Sequence, residues 1–170
     1  MAPLPKEILN APYCLARVTT TERVYRCLEP GLSVVVGSVD AHNIPSTCRA
    51  IAISSADGLA TVTVYVPVAT SQETIQNVAT TKRLAITASN PPDHRTTQLK
   101  GTTIEARLAR DDEHSFLRSR LDAFVDVLEK FGFPRGLARR FAYWPAFAVT
   151  IRVDEIFEQT PGPQAGHRIR

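Results

Sequence analysis

The chain has 170 residues, of which 44% are hydrophobic and 22% are charged, and its formal net charge is +3 at pH 7. This length suits one domain with its own core, and this composition excludes disordered, collagen-like and coiled-coil chains. No apolar run approaches the roughly 20 residues of a membrane-spanning helix. Residues 1–6 also lack the charged-then-apolar order of a signal peptide. The sequence therefore predicts a soluble, cytoplasmic protein.

The cysteines and histidines are too scattered to predict a structural site. There are three cysteines, Cys14, Cys27 and Cys48, and they lie far apart in the sequence. The odd number and the wide spacing argue against a disulfide framework. No Cys/His pair has zinc spacing, so we expect no metal site.

Binding of single-stranded nucleic acid needs aromatic side chains along a basic groove, and the strands offer chiefly Tyr65. We therefore expect no nucleic-acid partner.

The sequence predicts six strands and three helices. Runs of β-branched and apolar residues predict the strands, and helical spacing between capping residues predicts the helices. In the third predicted strand, alternation puts Val62, Val64 and Val66 on one face. In the third predicted helix, helical spacing puts one apolar face together from Leu117, Leu121, Phe124, Val125 and Leu128. The predicted strands cover residues 32–39, 47–55, 59–66, 83–89, 96–110 and 146–157. The predicted helices cover residues 19–28, 70–80 and 111–131, and a short helical piece covers residues 135–141.

Local signals mark the joints between these elements. Ala56-Asp57-Gly58 predicts a hairpin, so that the first three strands form an antiparallel meander. Thr70 and Glu73 have the spacing of a capping box. Gly101, inside the longest strand, indicates a bulge or a close backbone approach.

The predicted fold is mainly β with helical excursions. Six antiparallel strands joined by short turns favour a small barrel, closed or partly open, because closure removes exposed edges. Residues 1–30 form an N-terminal extension with the short helix, and residues 31–160 form the barrel with a helical insert at about 111–141. Residues 161–170 form a Pro- and Gly-rich tail that is either mobile or folded over a partner subunit.

Three segments are candidates for binding, and each has a second interpretation. Arg49 lies in an otherwise apolar strand, where it either meets an anion or a paired carboxylate in a buried site or points to water from an edge strand. Thr70-Ser71-Gln72 opens a helix and is either an anion site or an ordinary cap. Gln98 and Lys100 share a strand face that meets either a ligand or solvent. No nucleophilic triad is visible, so the catalytic residues are unknown.

In order and spacing, these segments resemble the FMN-binding split-barrel family, the relatives of pyridoxamine 5′-phosphate oxidase. The similarity runs from about Gly31 to Gly162, which is most of the chain. The matching stretches are Ser33–Ser38, Ser46–Ala50, Thr63–Pro67, Thr70-Ser71, Arg83–Thr87, Gln98–Gly101 and the last strand running into Thr160–Pro163. The resemblance implies a six-stranded antiparallel split barrel.

The resemblance also implies a homodimer with FMN at the subunit interface. The implied phosphate contacts are the side chains of Arg49, Thr70 and Ser71, with Gln72 at the following position. The implied neighbours of the flavin ring are the backbone of Tyr65 and Val66 and the side chain of Gln98, and Lys100 lies near the ring or the phosphate.

The sequence departs from the oxidases at two places. Gln72 and Glu73 stand where the oxidases carry Arg-Lys, and their C-terminal substrate segment is not recognisable in residues 167–170. We therefore predict a flavin-dependent oxidoreductase with a small-molecule substrate other than vitamin B6, and His94 and Tyr65 are acid–base candidates only by position. The alternative is a non-catalytic sensor or carrier that binds flavin, deazaflavin or haem.

Overall fold

The computed structural model describes residues 25–170, which form a curled antiparallel sheet with three helices. The strands are β1 (Ser33–Val39), β2 (Pro45–Ala50), β3 (Ala52–Ser54), β4 (Thr61–Pro67), β5 (Arg83–Ser89), β6 (Thr96–Leu108) and β7 (Ala146–Glu158). The helices are α1 (Gln72–Thr81), α2 (His114–Lys130) and α3 (Arg135–Ala138). A 3₁₀ turn at Arg26–Leu28 covers the end of the predicted first helix, and its predicted caps lie outside the described residues.

The sheet has seven strands in the order β2-β1-β5-β6-β7-β4-β3, so the prediction of six strands is wrong. The strand predicted over residues 47–55 breaks at Ile51 into β2 and β3. β2 pairs with β1 and β3 pairs with β4, so one stretch of chain supplies both edges of the sheet and curls it into a half-barrel. The expected meander is therefore split between the two edges. Apart from Arg49, residues 48–53 are all apolar, so nothing in the sequence marks the break.

The inner face of the sheet holds the main hydrophobic core. Val62, Val64 and Val66 of β4 are fully buried there, as their alternation predicted. The inward residues of β7 meet them from the neighbouring strand, because Val64 pairs with Val149 and Val62 with Ile151.

Helix α2 covers half of the outer face. Its apolar side, with Leu117 fully buried, packs on Tyr65 and on Ala146 and Ala148 of β7. The outer face of β1, β5 and the first half of β6 lies beyond this helix, and the side chain of Val35 there is 41% exposed. The helical insert thus divides the outer surface into a covered half and an open half.

Of the three local sequence signals at the joints between elements, two are confirmed and one is wrong. The hairpin between β3 and β4 is confirmed, and Gly58 adopts a positive φ of 69° in it. The irregularity at Gly101 is also confirmed, because the β6–β7 register shifts between Lys100 and Gly101. The capping box is wrong: Ser71 is the N-cap residue of α1, and the Glu73 carboxylate accepts a hydrogen bond from Ser46 Oγ at 2.9 Å instead.

The C-terminal tail folds back along its own chain. Ile169 N donates to Ile156 O at 2.7 Å, and Glu158 N donates to His167 O at 2.9 Å. Ile169 packs against the main core, and a guanidinium nitrogen of Arg170 donates to Leu59 O at 2.9 Å. Within residues 25–170, no helix combines the length and hydropathy that a membrane crossing requires.

Candidate functional site

The open half of the outer face brings together three of the predicted binding residues. Register pairs Arg49 with Val35, Val35 with Thr87, and Thr87 with Gln98. These four side chains therefore form one row across β2, β1, β5 and β6. Three strand spacings separate its ends, so Arg49 and Gln98 stand about 14 Å apart along the sheet.

Lys100 lies on the same face, in the next row. It pairs with Ala85, Ala85 pairs with Gly37, and Gly37 pairs with Thr47 of β2. A Cβ atom added at Gly37 would meet nothing within 4 Å. Small side chains and open space therefore leave a shallow shelf in the middle of this face. We call the surface of Arg49, Val35, Gly37, Ala85, Thr87, Gln98 and Lys100 the shelf.

Arg49 stands at the end of the shelf beside the helical insert. Its guanidinium carbon lies 4.1 Å from the centre of the Phe124 ring and 5.0 Å from the centre of the Phe141 ring. The side chain is half-buried, and this burial lowers the pKa of the guanidinium from its ordinary value. Both rings make cation–π contacts with the guanidinium group. The N–H donors of arginine project from the edge of the guanidinium plane.

Gln98 and Lys100 form the opposite end of the shelf. Gln98 Nε2 donates to Thr87 Oγ1 at 3.1 Å, and Gln159 Nε2 approaches Gln98 Oε1 at 3.4 Å. Lys100 Nζ lies 4.4 Å from the centre of the Phe157 ring. Glu155 pairs in register with Lys100 and forms an ion pair with Arg168 at 3.1 Å. The tail therefore supplies a counter-charge to the carboxylate that pairs in register with Lys100.

The start of α1 is arranged differently from the predicted phosphate site. Ser71 is buried, and its Oγ donates to Pro67 O at 2.7 Å. Thr70 and Gln72 are exposed, and the Glu73 carboxylate stands in the first turn. Neighbouring Thr74 donates to Cys48 Sγ at 3.3 Å, on the face of β2 opposite to Arg49. The structure therefore places the start of α1 and Arg49 on opposite faces of β2.

Tyr65 and Val66 belong to the packing of the barrel. Val66 lies in the main core, and the Tyr65 ring packs edge-on against Phe116 with 5.8 Å between ring centres. Tyr65 Oη donates to Glu113 Oε1 at 2.8 Å, and Glu113 also accepts two hydrogen bonds from Arg107, at 2.7 and 2.8 Å. Burial and the Glu113 carboxylate raise the pKa of the Tyr65 hydroxyl. His94, the other acid–base candidate, is exposed in the turn before β6.

The aromatic side chains beside Arg49 lie outside the predicted site. The sequence predicts Phe124 on the apolar side of the helix over 111–131, where it is buried, and Phe141 at the end of the short helical piece over 135–141. Phe141 follows α3, and its ring packs against both Phe124 and Phe133. Nothing in the local sequence links these rings to β2, because the contact joins residues far apart along the chain.

Comparison with solved structures supports the fold. HupZ of Group A Streptococcus is similar at a TM-score of 0.51 and 17% identity, over 88% of this chain and 99% of that chain. An F420 reductase is similar at a TM-score of 0.50 and 11% identity, over 78% of this chain and 94% of that chain. A protein of the pyridoxinephosphate oxidase family from Clostridium acetobutylicum, related to general stress protein 26, has a TM-score of 0.47 and 12% identity, over 82% and 88% of the two chains.

Neither the protein-family models nor the curated protein sequences contain a match to this chain. At these identities, likeness to the solved structures shows the fold and leaves the ligand open. The chain has the mainly β fold of HupZ and the F420 reductase, here a curled antiparallel sheet of seven strands that forms a half-barrel and is compatible with the predicted split barrel.

Proposed function

We propose that the shelf binds the flavin of FMN, and that the protein is a flavin-dependent oxidoreductase acting on a small molecule. The observation that carries this proposal is the placement of Arg49 at one end of an open shelf and of Gln98 and Lys100 at the other. A flat, elongated ligand with one anionic end suits such a surface. The cytoplasmic location expected from the sequence stays a prediction.

Arg49 is the group we assign to the phosphate. Its charge is partly removed from water by Phe124 and Phe141, which favours pairing with an anion over exposure to solvent. The N–H groups at the guanidinium edge match the geometry of phosphate oxygens and can bind two of them together. We expect Ser71 to contribute little, because its hydroxyl hydrogen already bonds to Pro67 O.

The remainder of the shelf fits an uncharged ring system. The open space above Gly37 admits a flat group against the sheet, and the Gln98 amide and the Lys100 ammonium can bind ring heteroatoms. When bound, the flavin would supply the electron or hydride transfer, whereas the chain's own side chains would hold and orient it. The shelf is open to one side, so we propose that a second copy of the chain completes the site, as the family resemblance implies.

A non-catalytic sensor or carrier is the second candidate. The likeness to an F420 reductase at a TM-score of 0.50 supports testing a deazaflavin beside FMN, and haem is the third ligand to test. Arg49 and Lys100 lie on the shelf and the Glu155–Arg168 ion pair lies at its margin, whereas His94 and Tyr65 do not belong to it. This composition favours binding over proton transfer.

The test is the absorption spectrum of the purified protein, the mass of any released chromophore, and titration with FMN, F420 and haem. Arg49→Ala should weaken FMN binding by about 10- to 100-fold, the size of a charged hydrogen bond. Arg49→Lys should weaken it less. Arg152→Ala removes an exposed β7 arginine outside the shelf and should leave the affinity unchanged.

Three outcomes decide between the candidates. FMN binding that depends on Arg49, with reduction of the bound flavin by NADPH or NADH, supports the oxidoreductase. Bound flavin that no nicotinamide reduces supports the carrier. FMN affinity that is equal in Arg49→Ala and the original chain overturns the phosphate assignment.

A further inference from the structure

The turn between α2 and α3 has a well-defined backbone. Helix α2 ends in a Schellman motif, in which Phe133 N donates to Leu128 O at 3.1 Å and Gly132 N donates to Glu129 O at 2.9 Å. Gly132 supplies the positive φ, 81°, that this motif requires. The motif turns Phe133 inward, where its ring stacks on Phe141 with 6.3 Å between the ring centres. The inner side of the turn is therefore packed against the chain.

The outer side of this turn carries apolar side chains. We call residues 130–140 the basic corner. Within it, Phe131 is 55% exposed and Leu137 is 49% exposed, whereas Ala138, the neighbour of Leu137, is fully buried. Neither exposed side chain belongs to the hydrophobic clusters of residues 25–170. These two side chains are therefore left at the surface by a corner whose inner side already stabilises the insert.

The basic corner also carries cations without counter-charges. Arg135 is neutralised, because it forms ion pairs with Asp126 and Glu129 of α2. The other three cations of the corner, all exposed, are Lys130, Arg139 and Arg140. Within residues 25–170, none of these three forms an ion pair. The sequence contains no acidic residue between positions 130 and 153, so the corner has no carboxylate of its own.

We propose that the basic corner docks reversibly on an anionic lipid surface. Phe131 and Leu137 would enter the boundary between headgroups and acyl chains, and the three free cations would meet the lipid phosphates. Apolar side chains set among cations are the pattern of segments that lie in a membrane interface. Such docking needs neither a membrane-spanning helix nor a bound cofactor, so it goes beyond the flavin proposal.

A lipid surface matches both properties of the corner. Nucleic acid would pair its phosphates with the cations and could stack a base on Phe131, but it has no apolar layer to receive Leu137. Each cation held near an anionic leaflet raises the affinity about fivefold. Three cations and two partly buried apolar side chains therefore predict binding at about millimolar lipid.

Co-sedimentation of the full chain with vesicles tests the contribution of charge. The chain should bind vesicles of equal parts phosphatidylcholine and phosphatidylglycerol, and should bind phosphatidylcholine vesicles much more weakly. High salt should weaken the binding, because it screens exposed charges. Arg139→Gln combined with Arg140→Gln should weaken it by about 10- to 30-fold. Lys82→Gln combined with Arg83→Gln changes two adjacent exposed cations where α1 joins β5, and should leave it unchanged.

A second set of variants tests the apolar contribution. Phe131→Ser and Leu137→Ser should each weaken vesicle binding by about fivefold, because each removes one apolar side chain from the lipid boundary. Ile44→Ser is the matched control, because Ile44 is 62% exposed in the turn between β1 and β2. The control should bind as the original chain does. Thermal unfolding of each variant confirms that the fold is retained.

Two results would overturn the docking: equal binding to anionic and uncharged vesicles, or corner variants that bind anionic vesicles as tightly as the original chain. Binding of a mixed-sequence oligonucleotide that depends on Arg139 and Arg140, without vesicle binding, would assign the corner to nucleic acid instead. FMN binding without vesicle binding rejects the docking and leaves the cofactor proposal standing. Vesicle binding by a protein that binds no flavin rejects the cofactor proposal alone.

Discussion

The guanidinium carbon of Arg49 lies 4.1 Å from the centre of the Phe124 ring, which joins the edge strand β2 to the inserted helix α2. Phe124 is buried and Arg49 is half-buried, so the contact belongs to the packing of the insert on the barrel. It also limits the orientations available to the one arginine that we assign to an anion. Stability and ligand binding should therefore both respond to changes in this pair.

Phe124→Leu keeps an apolar side chain in place and removes the aromatic face. A double-mutant cycle with Arg49→Met should show a coupling free energy of about 1 kcal/mol in urea unfolding, the usual size of a partly desolvated cation–π contact. Phe131→Leu, on an exposed aromatic residue at the end of α2, is the control and should show no coupling with Arg49→Met. Coupling equal to this control would mean that the ring and the guanidinium do not interact energetically.

Gly101→Ala should destabilise the fold by about 1–3 kcal/mol, as overpacking does. A Cβ atom at this position would overlap the carbonyl oxygen of Arg152 and would lie 3.0 Å from Ile151 Cδ1. Gly37→Ala is the matched strand control, because its Cβ would meet nothing within 4 Å. The control should be neutral or slightly stabilising. Thermal unfolding of both variants checks this, and equal melting temperatures would contradict the close approach.

Glu113 should make the fold sensitive to acid. The hydrogen bonds from Arg107 hold the pKa of its carboxyl at about 2 in the folded protein, below the ordinary value of 4.5. A lowered folded pKa gives stability that is fully present above pH 4.5 and is lost as the pH falls towards 2. Glu113→Gln should reduce stability at neutral pH and flatten the pH dependence in this window.

Urea unfolding at several pH values measures the Glu113 effect. Asp126→Asn, on an exposed carboxylate of α2, is the control for removal of one negative charge. A pH profile for Glu113→Gln that parallels the original chain between pH 4.5 and 2 would contradict the assignment.

Removal of the last four residues should destabilise the barrel. It removes the backbone bonds between Ile169 and Ile156, the packing of Ile169 on the core, and the bond from Arg170 to Leu59 O. We expect a loss of about 2–4 kcal/mol, the cost of one partly buried aliphatic side chain and a few hydrogen bonds. Arg168→Ala, which removes an exposed ion pair and one exposed hydrogen bond to Arg170 O, should change stability by less than about 1 kcal/mol. Equal effects of the truncation and this control would contradict the contribution of the tail.

Much of the secondary structure follows from the sequence because its causes are local. Alternation in Thr61–Pro67 predicted an inward valine face, and the structure buries those valines. Apolar spacing in α2 predicted the buried side of the helix. Asp57-Gly58 predicted the hairpin because few residues tolerate the backbone conformation of such a turn.

The tertiary structure decided the rest. Ile51 lies inside an unbroken apolar segment that predicts a single strand. The segment is divided into β2 and β3 only because its first part pairs with β1 and its second part with β4. Arg49 and Gln98 are 49 residues apart in the sequence, and only strand order places them in one row. Likewise, the sequence predicts Ser71 as a ligand residue and Glu73 as a capping residue. In the structure, the Ser71 hydroxyl instead donates to the Pro67 carbonyl, and the Glu73 carboxylate accepts from the Ser46 hydroxyl.

The division has a physical reason. A residue's preference for helix, strand or turn depends on its own side chain and its near neighbours, which the sequence displays. Which group forms a hydrogen bond with a polar side chain depends on contacts between segments that are distant in the sequence. These contacts form only when the sheet curls. The sequence by itself determined the elements and their inward faces, whereas the fold decided which side chains share the shelf.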